Sequence, residues 1–467
     1  MLESDVSRPT DVEGAELLAR FEGVPFSRWH TKARVIVGSA TFFDAFGQLS
    51  LAFALPILIR LWNITPTQSG FLIAASYAGQ LVGALVFSWL AERYGRIRSI
   101  TPAVALMSVM SLGCVMAGDF MTLVACRFVQ GIGLGGEMPV AATYISEVSK
   151  ARGRGRFFML YEMIFPVGLM VAGQIGAWVV PVFGWQVIFW FGGIPGLIIT
   201  VLMMRLPESP RWLISKGRLV EAERIVQQLE ARVRVTGFAN PETTRAPLLD
   251  ASPYRGPWTP KRDGSRWREV LSHNYRSRTL IVWLLWATSY FITNSLNNWM
   301  PSLYNTVYHL GLRESLRAAS MTNVAQVILL LICAFSIDRV GRRNWAKTCF
   351  VVGGALLAIL GFAATQSVMR VMILATLSYG IIGSVNAVLY LYTPEIYPTR
   401  MRAIGTGLAT SWLRVASAVG PAIVGFMVGA GGIGSVFVML SIASAVGAIT
   451  STFMIETRAR RLEEIAP

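Results

Sequence analysis

Twelve stretches of about 20 mostly apolar residues run along the 467-residue chain, near 35–60, 70–91, 98–117, 121–144, 157–181, 186–206, 279–302, 318–337, 348–367, 369–391, 404–428 and 433–455. Each is long enough to cross the hydrocarbon core of a bilayer as a helix. A dozen such spans use about 240 positions, and 54% of the 467 residues, about 252, are hydrophobic. A single soluble core of that apolar content fits poorly. The balance of 42 basic and 26 acidic residues, +16 overall, would suit a nucleic-acid binder. Here the basic residues fall between the apolar stretches, which makes them a topology signal and leaves nucleic acid out as a partner.

A cytoplasmic N-terminus places Arg28, Lys32, Arg34, the Arg93–Arg98 turn, the Lys150–Arg156 segment, Arg339, Arg342, Arg343, Lys347, Arg400, Arg402 and the Arg458–Arg461 tail on one side. Arg60, Arg313, Arg317 and Arg370 are left on the other, the asymmetry expected of a cytoplasmic face. Residues 1–30 are polar and of mixed charge, so no cleavable leader is expected. The division that follows is a cytoplasmic tail at 1–34, a six-helix bundle at 35–206, a cytoplasmic loop at 207–278 with a helix-like run over 219–234, a second six-helix bundle at 279–455, and a tail at 456–467. Cys114, Cys126, Cys333 and Cys349 lack metal-ligand spacing and read as reduced packing residues.

The two halves repeat. LAERYGRIR (90–98) follows the second span and SIDRVGRRN (336–344) the eighth, so that Gly95 and Gly341 correspond at an offset of 246. YISEVSKARGR (144–154) follows the fourth and YTPEIYPTRMR (392–402) the tenth, aligning Glu147 with Glu395 and Arg152 with Arg400 at an offset of 248. Internal symmetry in a membrane chain points to a transporter. In each tight turn a glycine makes the bend, while carboxylate and arginine can pair or cap helix ends as the halves rock. Topology anchoring by the arginines alone is the plainer alternative.

With these motifs, and with RFVQGIGLGG (127–136) and PESPRWL (207–213), the chain resembles the major facilitator superfamily, in its sugar porter and metabolite:proton symporter branch, over residues 30–457. The resemblance implies an all-α integral membrane fold of twelve transmembrane helices in two pseudo-symmetric six-helix bundles, working by alternating access. It also implies gating roles for Glu92, Arg93, Gly95, Arg96, Glu147, Arg152, Glu208, Arg211, Asp338, Arg339, Gly341, Arg342, Glu395 and Arg400. Ser88 and Ala334 stand where the family usually has glycine, and Glu92 where it usually has Asp.

Ionisable groups inside a membrane are costly unless paired or wetted, which makes each a functional candidate. Asp44, in FFDAFG (42–47), lies about nine residues into the first span, about 13 Å deep, where a carboxylate could take up and release a proton. In the symporters that the chain resembles, an Arg at the motif position of Arg127 pairs with an Asp of the first span. An Asp44–Arg127 pair that opens on protonation is therefore expected, with a static packing pair as the alternative. Glu137 follows Arg127 by about 15 Å along the same helix, at a place where fungal phosphate:proton symporters carry an acidic residue. It is the second proton candidate, or else a bond to another helix. Arg414, in SWLRVASAVGP (411–421), suits a carboxylate substrate, which guanidinium can grip with two hydrogen bonds. It equally suits a counter-ion role.

The polar stretch NSLNNW (294–299) marks the seventh span as cavity-lining. Tyr290, Asn294, Asn297, Asn298 and Trp299 are its candidates, joined by Gln130, Gln174, Asn323, Gln326, Asn386 and Tyr390. Asparagine in a span serves equally as glue between helices. No GxxxxGK[ST] loop is present, and His30, His273 and His309 lie outside the spans, so neither an ATP engine, a metal nor any other cofactor is expected.

The expected function is proton-coupled symport of a small polar metabolite, an organic anion such as an aromatic or other carboxylate, by a monomer in a bacterial inner membrane with both termini cytoplasmic. Sugar uptake and proton-driven export of drugs or organic cations are the alternatives. A sensor would usually carry a long tail, and no nucleophile–base or metal constellation suggests an enzyme. Aromatic-acid symporters usually have a second acid in the first span, where this chain has Gly47.

Overall fold

The computed structural model describes residues 9–24, 28–148, 163–235, 270–273, 275–362, 367–397 and 402–457. Its elements in chain order are α1 (Pro9–Gly23), α2 (Arg28–Trp62), α3 (Pro66–Tyr94), α4 (Arg96–Val115), α5 (Phe120–Val148), α6 (Ile164–Phe183), α7 (Gln186–Met203), α8 (Pro210–Ser215), α9 (Leu219–Val235), α10 (Arg276–Thr306), α11 (Leu312–Val340), α12 (Arg342–Phe362), α13 (Val368–Glu395) and α14 (Arg402–Thr452). Ten of these are long and apolar enough to cross a membrane. The last of them, α14, is broken at Gly432, whose φ of 72° no helix tolerates, and so provides two crossing arms. With α5, whose Arg127 and Glu137 interrupt its apolar run, the spans number twelve among the described residues.

The spans form two bundles of six with matching internal contacts. In the first, α3 packs on α5 and α4 on α7; in the second, α11 packs on α13 and α12 on the far arm of α14. Glycines make the closest of these contacts possible. A methyl group on Gly79 or Gly83 of α3 would overlap the carbonyl groups of Phe128 and Ile132 in α5, and one on Gly131 or Gly135 of α5 would overlap those of Ser76 and Gln80. Without a hydrophobic force between helices in lipid, such backbone-to-backbone packing is a main source of association.

The helices run past the apolar stretches at the end that carries the Arg-rich turns, referred to below as the charged end. There α8, α9 and α1 form a small satellite built on Leu17, Trp212, Leu213 and Ala222. Arg20 of α1 closes a two-pronged ion pair on Glu230 of α9, at 3.1 and 2.9 Å. The N-terminal tail thus holds a helix, whose low apolar content hid it in the sequence. Residues 149–162, at the start of the expected fifth span, lie outside the described residues.

The bundles meet at the end remote from the charged turns. There α3 packs on α14, α2 on α10 and α6 on α11. Gly70 touches Pro421 and Ala422, the Gln174 amide donates to Ser320 Oγ at 3.2 Å, and the Arg317 guanidinium stacks 3.9 Å above the Trp178 ring.

Candidate transport cavity

Between the bundles lies a cavity of about 650 Å3. Its lining runs from Tyr77 and Asn297, beside the sealed end, to Ile337 and Pro394 at the charged ends of α11 and α13. It is therefore closed on one side of the membrane and reaches toward the other.

Arg414 enters this cavity from the near arm of α14. It is 7% exposed; its Nη1 makes a long bond of 3.4 Å to the Thr410 carbonyl, and its Nε has no hydrogen-bond partner. A buried guanidinium with donors to spare is costly unless a ligand completes it. Beside it Tyr290 and Tyr390 form an aromatic wall of the cavity, backed by the fully buried Trp286. The Trp286 ring stacks on Tyr290 at 5.5 Å and 14°, meets Tyr390 edge-on at 4.7 Å, and is fixed by Nε1 donating to Thr393 Oγ1 at 2.9 Å.

A hydrogen-bonded roof closes the sealed end. Tyr77 O–H donates to Asn294 Oδ1 at 3.2 Å and accepts from Asn298 Nδ2 at 3.1 Å, while Asn294 Nδ2 donates to Ser417 Oγ at 2.6 Å. These bonds tie α3 of one bundle to α10 and α14 of the other. Of the expected lining residues, Tyr290, Asn294, Asn297, Gln326, Asn386, Tyr390 and Arg414 do face the cavity. Gln326 accepts from Tyr379 O–H at 2.9 Å, and Asn386 bridges Ser289 and Thr293.

The others stand elsewhere. Trp299 points away and donates through Nε1 to the Pro421 carbonyl at 3.0 Å, because at 100° per residue it lies opposite Tyr290 on α10. Asn298 is buried behind the roof. Gln174 spends its amide on Ser320 at the sealed end, and Asn323 accepts from Tyr379 beside Gly173. Gln130 accepts from Arg127 Nη1 at 2.7 Å, inside the first bundle.

Asp44 is fully buried one turn behind the cavity residue Gln48, whose Nε2 donates to Oδ2 at 3.3 Å; Oδ1 has no partner. The expected Asp44–Arg127 ion pair is not made. Arg127 instead donates to the Gly47 carbonyl at 2.9 Å, with Ser50 and Gln130 beside it and Phe189 under its guanidinium at 6.0 Å. Neutral acceptors thus take Arg127 Nη1, while its Nε has no hydrogen-bond partner among the described residues. Glu137 is also fully buried, and its Oε1 accepts from Thr41 Oγ1 at 2.8 Å, joining α5 to α2.

At the charged end the two glycine turns are built alike. Gly95 has φ 121° and Gly341 φ 90°. Arg96 pairs with Glu147 at 2.9 Å and with Glu92 at 3.0 Å; Arg342 pairs with Glu395 at 3.4 Å. Glu208 accepts from the amides of Arg96 and Ile97, at 2.8 and 3.2 Å, at the start of α4. Glu456 does the same for Arg342 and Arg343, at 3.0 and 3.2 Å, at the start of α12. Glu456 was not among the sequence candidates, although Glu208 plus the repeat offset of 248 lands on it. Arg211 Nε donates to the Glu147 carbonyl at 2.9 Å, and Arg93 lies 5.4 Å from the Trp89 ring. Arg339 is exposed. Arg152, Arg400 and the Asp338 side chain lie outside what is described.

Residues 22–467 match the sugar (and other) transporter family. The chain belongs to that family. It is 31% identical over 458 residues, 96% of this chain and 99% of the relative, to the niacin transporter of Acinetobacter baylyi. It is 25% identical to the 4-hydroxybenzoate transporter of the same organism, over 83% of this chain and 82% of that one. It is likewise 25% identical to a gallate transporter of Pseudomonas putida, over 88% and 87%. Among solved structures, the xylose transporter of E. coli in a partially occluded inward open conformation superposes with a TM-score of 0.72 at 16% identity, covering 92% of this chain and 100% of that one. That likeness establishes the fold. Membership of the transporter family makes the chain a multi-pass membrane transporter rather than an enzyme.

Proposed function

We propose that the protein is a proton-coupled symporter importing a small aromatic monocarboxylate, working as a monomer in the inner membrane with its charged end and both termini in the cytoplasm. The observation that carries this reading is Arg414, a buried guanidinium with a spare donor, facing a 650 Å3 cavity beside an aromatic wall. Guanidinium holds a carboxylate with two parallel bonds, and Tyr290 and Tyr390, backed by the buried Trp286, offer an aromatic surface for a ring. Niacin, 4-hydroxybenzoate and gallate, named for three relatives, share that chemistry of one ring and one carboxylate. A neutral sugar can accept hydrogen bonds from the guanidinium but offers it no two-pronged anionic partner.

Charge balance supplies the coupling. Asp44, bonded to the cavity residue Gln48, and Arg414, in the cavity lining, bring one buried acid and one buried cation to this site. An arriving carboxylate adds a negative charge in a region where an unpaired charge is costly. A proton arriving on Asp44 with the anion restores neutrality, so anion and proton cross together, and each favours the other's binding by the same factor. In this reading Arg127 fixes the backbone of α2 just beyond Asp44, and Glu137 is a second place for a proton.

The Arg96–Glu147 and Arg342–Glu395 pairs, with their Glu208 and Glu456 caps, would regulate opening of the cytoplasmic side. Titrating purified protein with nicotinate, 4-hydroxybenzoate and xylose tests the substrate class. The aromatic acids are expected to bind and xylose not; Arg414→Gln should weaken acid binding by about a hundredfold, from the 2–5 kcal/mol typical of a truncated buried charge contact. Xylose binding, or acid binding indifferent to Arg414, would overturn the reading.

A further inference from the structure

Three polar side chains of the first bundle line the cavity among the described residues: Gln48, Tyr77 and Gln80. Gln48 is committed to Asp44, and Tyr77 to Asn294 and Asn298. Gln80 is 7% exposed, belongs to the cavity lining, and makes no side-chain hydrogen bond among the described residues. It is the polar group that this bundle leaves open to a ligand. Its place is fixed from behind, since Gly131 and Gly135 let α5 press directly on its backbone.

Gln80 and Arg414 share a level. The Tyr77–Asn294–Ser417 bonds mark one height in the cavity across α3, α10 and α14. Arg414 lies three residues before Ser417 on α14, which runs away from the charged end, and Gln80 lies three residues after Tyr77 on α3, which runs toward it. Both therefore sit about 4.5 Å from the roof on its charged side. One belongs to each bundle, and they face one cavity.

We infer that Gln80 recognises a hydrogen-bonding atom on the substrate ring remote from the carboxylate, and that a ligand held by Arg414 at one end and Gln80 at the other draws the two bundles together. This rests on the symport reading above. A carboxamide both donates and accepts, so it serves a pyridine-type nitrogen or a ring hydroxyl alike. An acid with neither, such as benzoate, fills the Arg414 side without bridging the bundles; it binds but is carried poorly.

The test uses the full chain in proteoliposomes, with nicotinate, 4-hydroxybenzoate and benzoate each measured as inhibitor and as labelled substrate. In the wild type all three are expected to inhibit, while the two hydrogen-bonding acids are carried about tenfold faster than benzoate at saturation, the scale set by one buried hydrogen bond. In Gln80→Leu that ratio is expected to fall to within about twofold, and Gln80→Asn to fall between. Arg414→Gln weakens all three acids together, which separates the two ends of the site. A ratio unchanged in Gln80→Leu overturns the assignment. Should Gln80→Leu fail to assemble, an unchanged ratio in Gln80→Asn does the same. If none of the acids binds the wild type, the symport reading fails and this inference falls with it.

Discussion

Gly70 of α3 meets α14 at the sealed end of the cavity. A methyl group there would lie 2.9 Å from the Pro421 carbonyl oxygen and 3.0 Å from Ala422 Cα, against the 3.4 Å or more of ordinary contact. Both neighbours are backbone and cannot swing aside, so in Gly70→Ala the helices must part by about half an ångström. Overpacking of this kind costs about 1–3 kcal/mol. In an alternating-access cycle that cost applies only while α3 and α14 touch. The equilibrium should therefore move about 5- to 140-fold toward the conformation open at this end. Spin labels at Asn63→Cys and His309→Cys, in the turns after α2 and after α10, report it on a background without the four native cysteines. Gly70→Ala should add or enlarge a long-distance population. Gly83→Ala is the control: its methyl would overlap the Ile132 carbonyl oxygen, inside one bundle, and should lower stability without shifting the distances. An unchanged distance distribution in Gly70→Ala would refute the claim that this contact opens during the cycle.

Further outcomes follow from the charged end and from the outer stack. Glu208→Gln and Glu456→Gln each weaken the charge-assisted caps at a helix start and should each lower thermal stability by about 1 kcal/mol; equivalence of the two turns requires similar losses, and a shift confined to one contradicts it. Arg317→Ala removes the stacking on Trp178, with about 0.5–1 kcal/mol expected at an exposed site, and should favour opening of that end as Gly70→Ala does, read by the same labels. Glu230→Gln loosens the Arg20 pair, of which both side chains are about one-third exposed. Cleavage of α1 by added protease should quicken only a few-fold, in line with the modest worth of such pairs.

The bundle architecture was legible because the bilayer leaves only helices with apolar surfaces, and because the repeat stands in the polar turns, where Gly95 and Gly341 are needed for the bend. The site was legible only in part. Arg414 and Asp44 stand out as charges in apolar helices, yet that one lines the cavity and the other stands just behind Gln48 depends on how two bundles dock, which no local pattern encodes. Composition marks the NSLNNW run as polar, while helical phase separates Asn294 and Asn297, on the face of Tyr290, from Trp299 opposite. Gln80 is a lone amide in the apolar middle of its helix and looks like interhelical glue until the absence of a partner among the described residues is seen. Arg127 donates to the Gly47 carbonyl and not to Asp44, a contact invisible to reasoning from charged residues alone.

Proton-driven accumulation decides most directly whether anion and proton cross together through Asp44. Proteoliposomes with an imposed inward proton gradient should accumulate nicotinate or 4-hydroxybenzoate above equilibrium in the wild type, and Asp44→Asn should exchange the same acid without accumulating it. Undiminished accumulation in Asp44→Asn, or uptake in the wild type indifferent to the gradient, would contradict it.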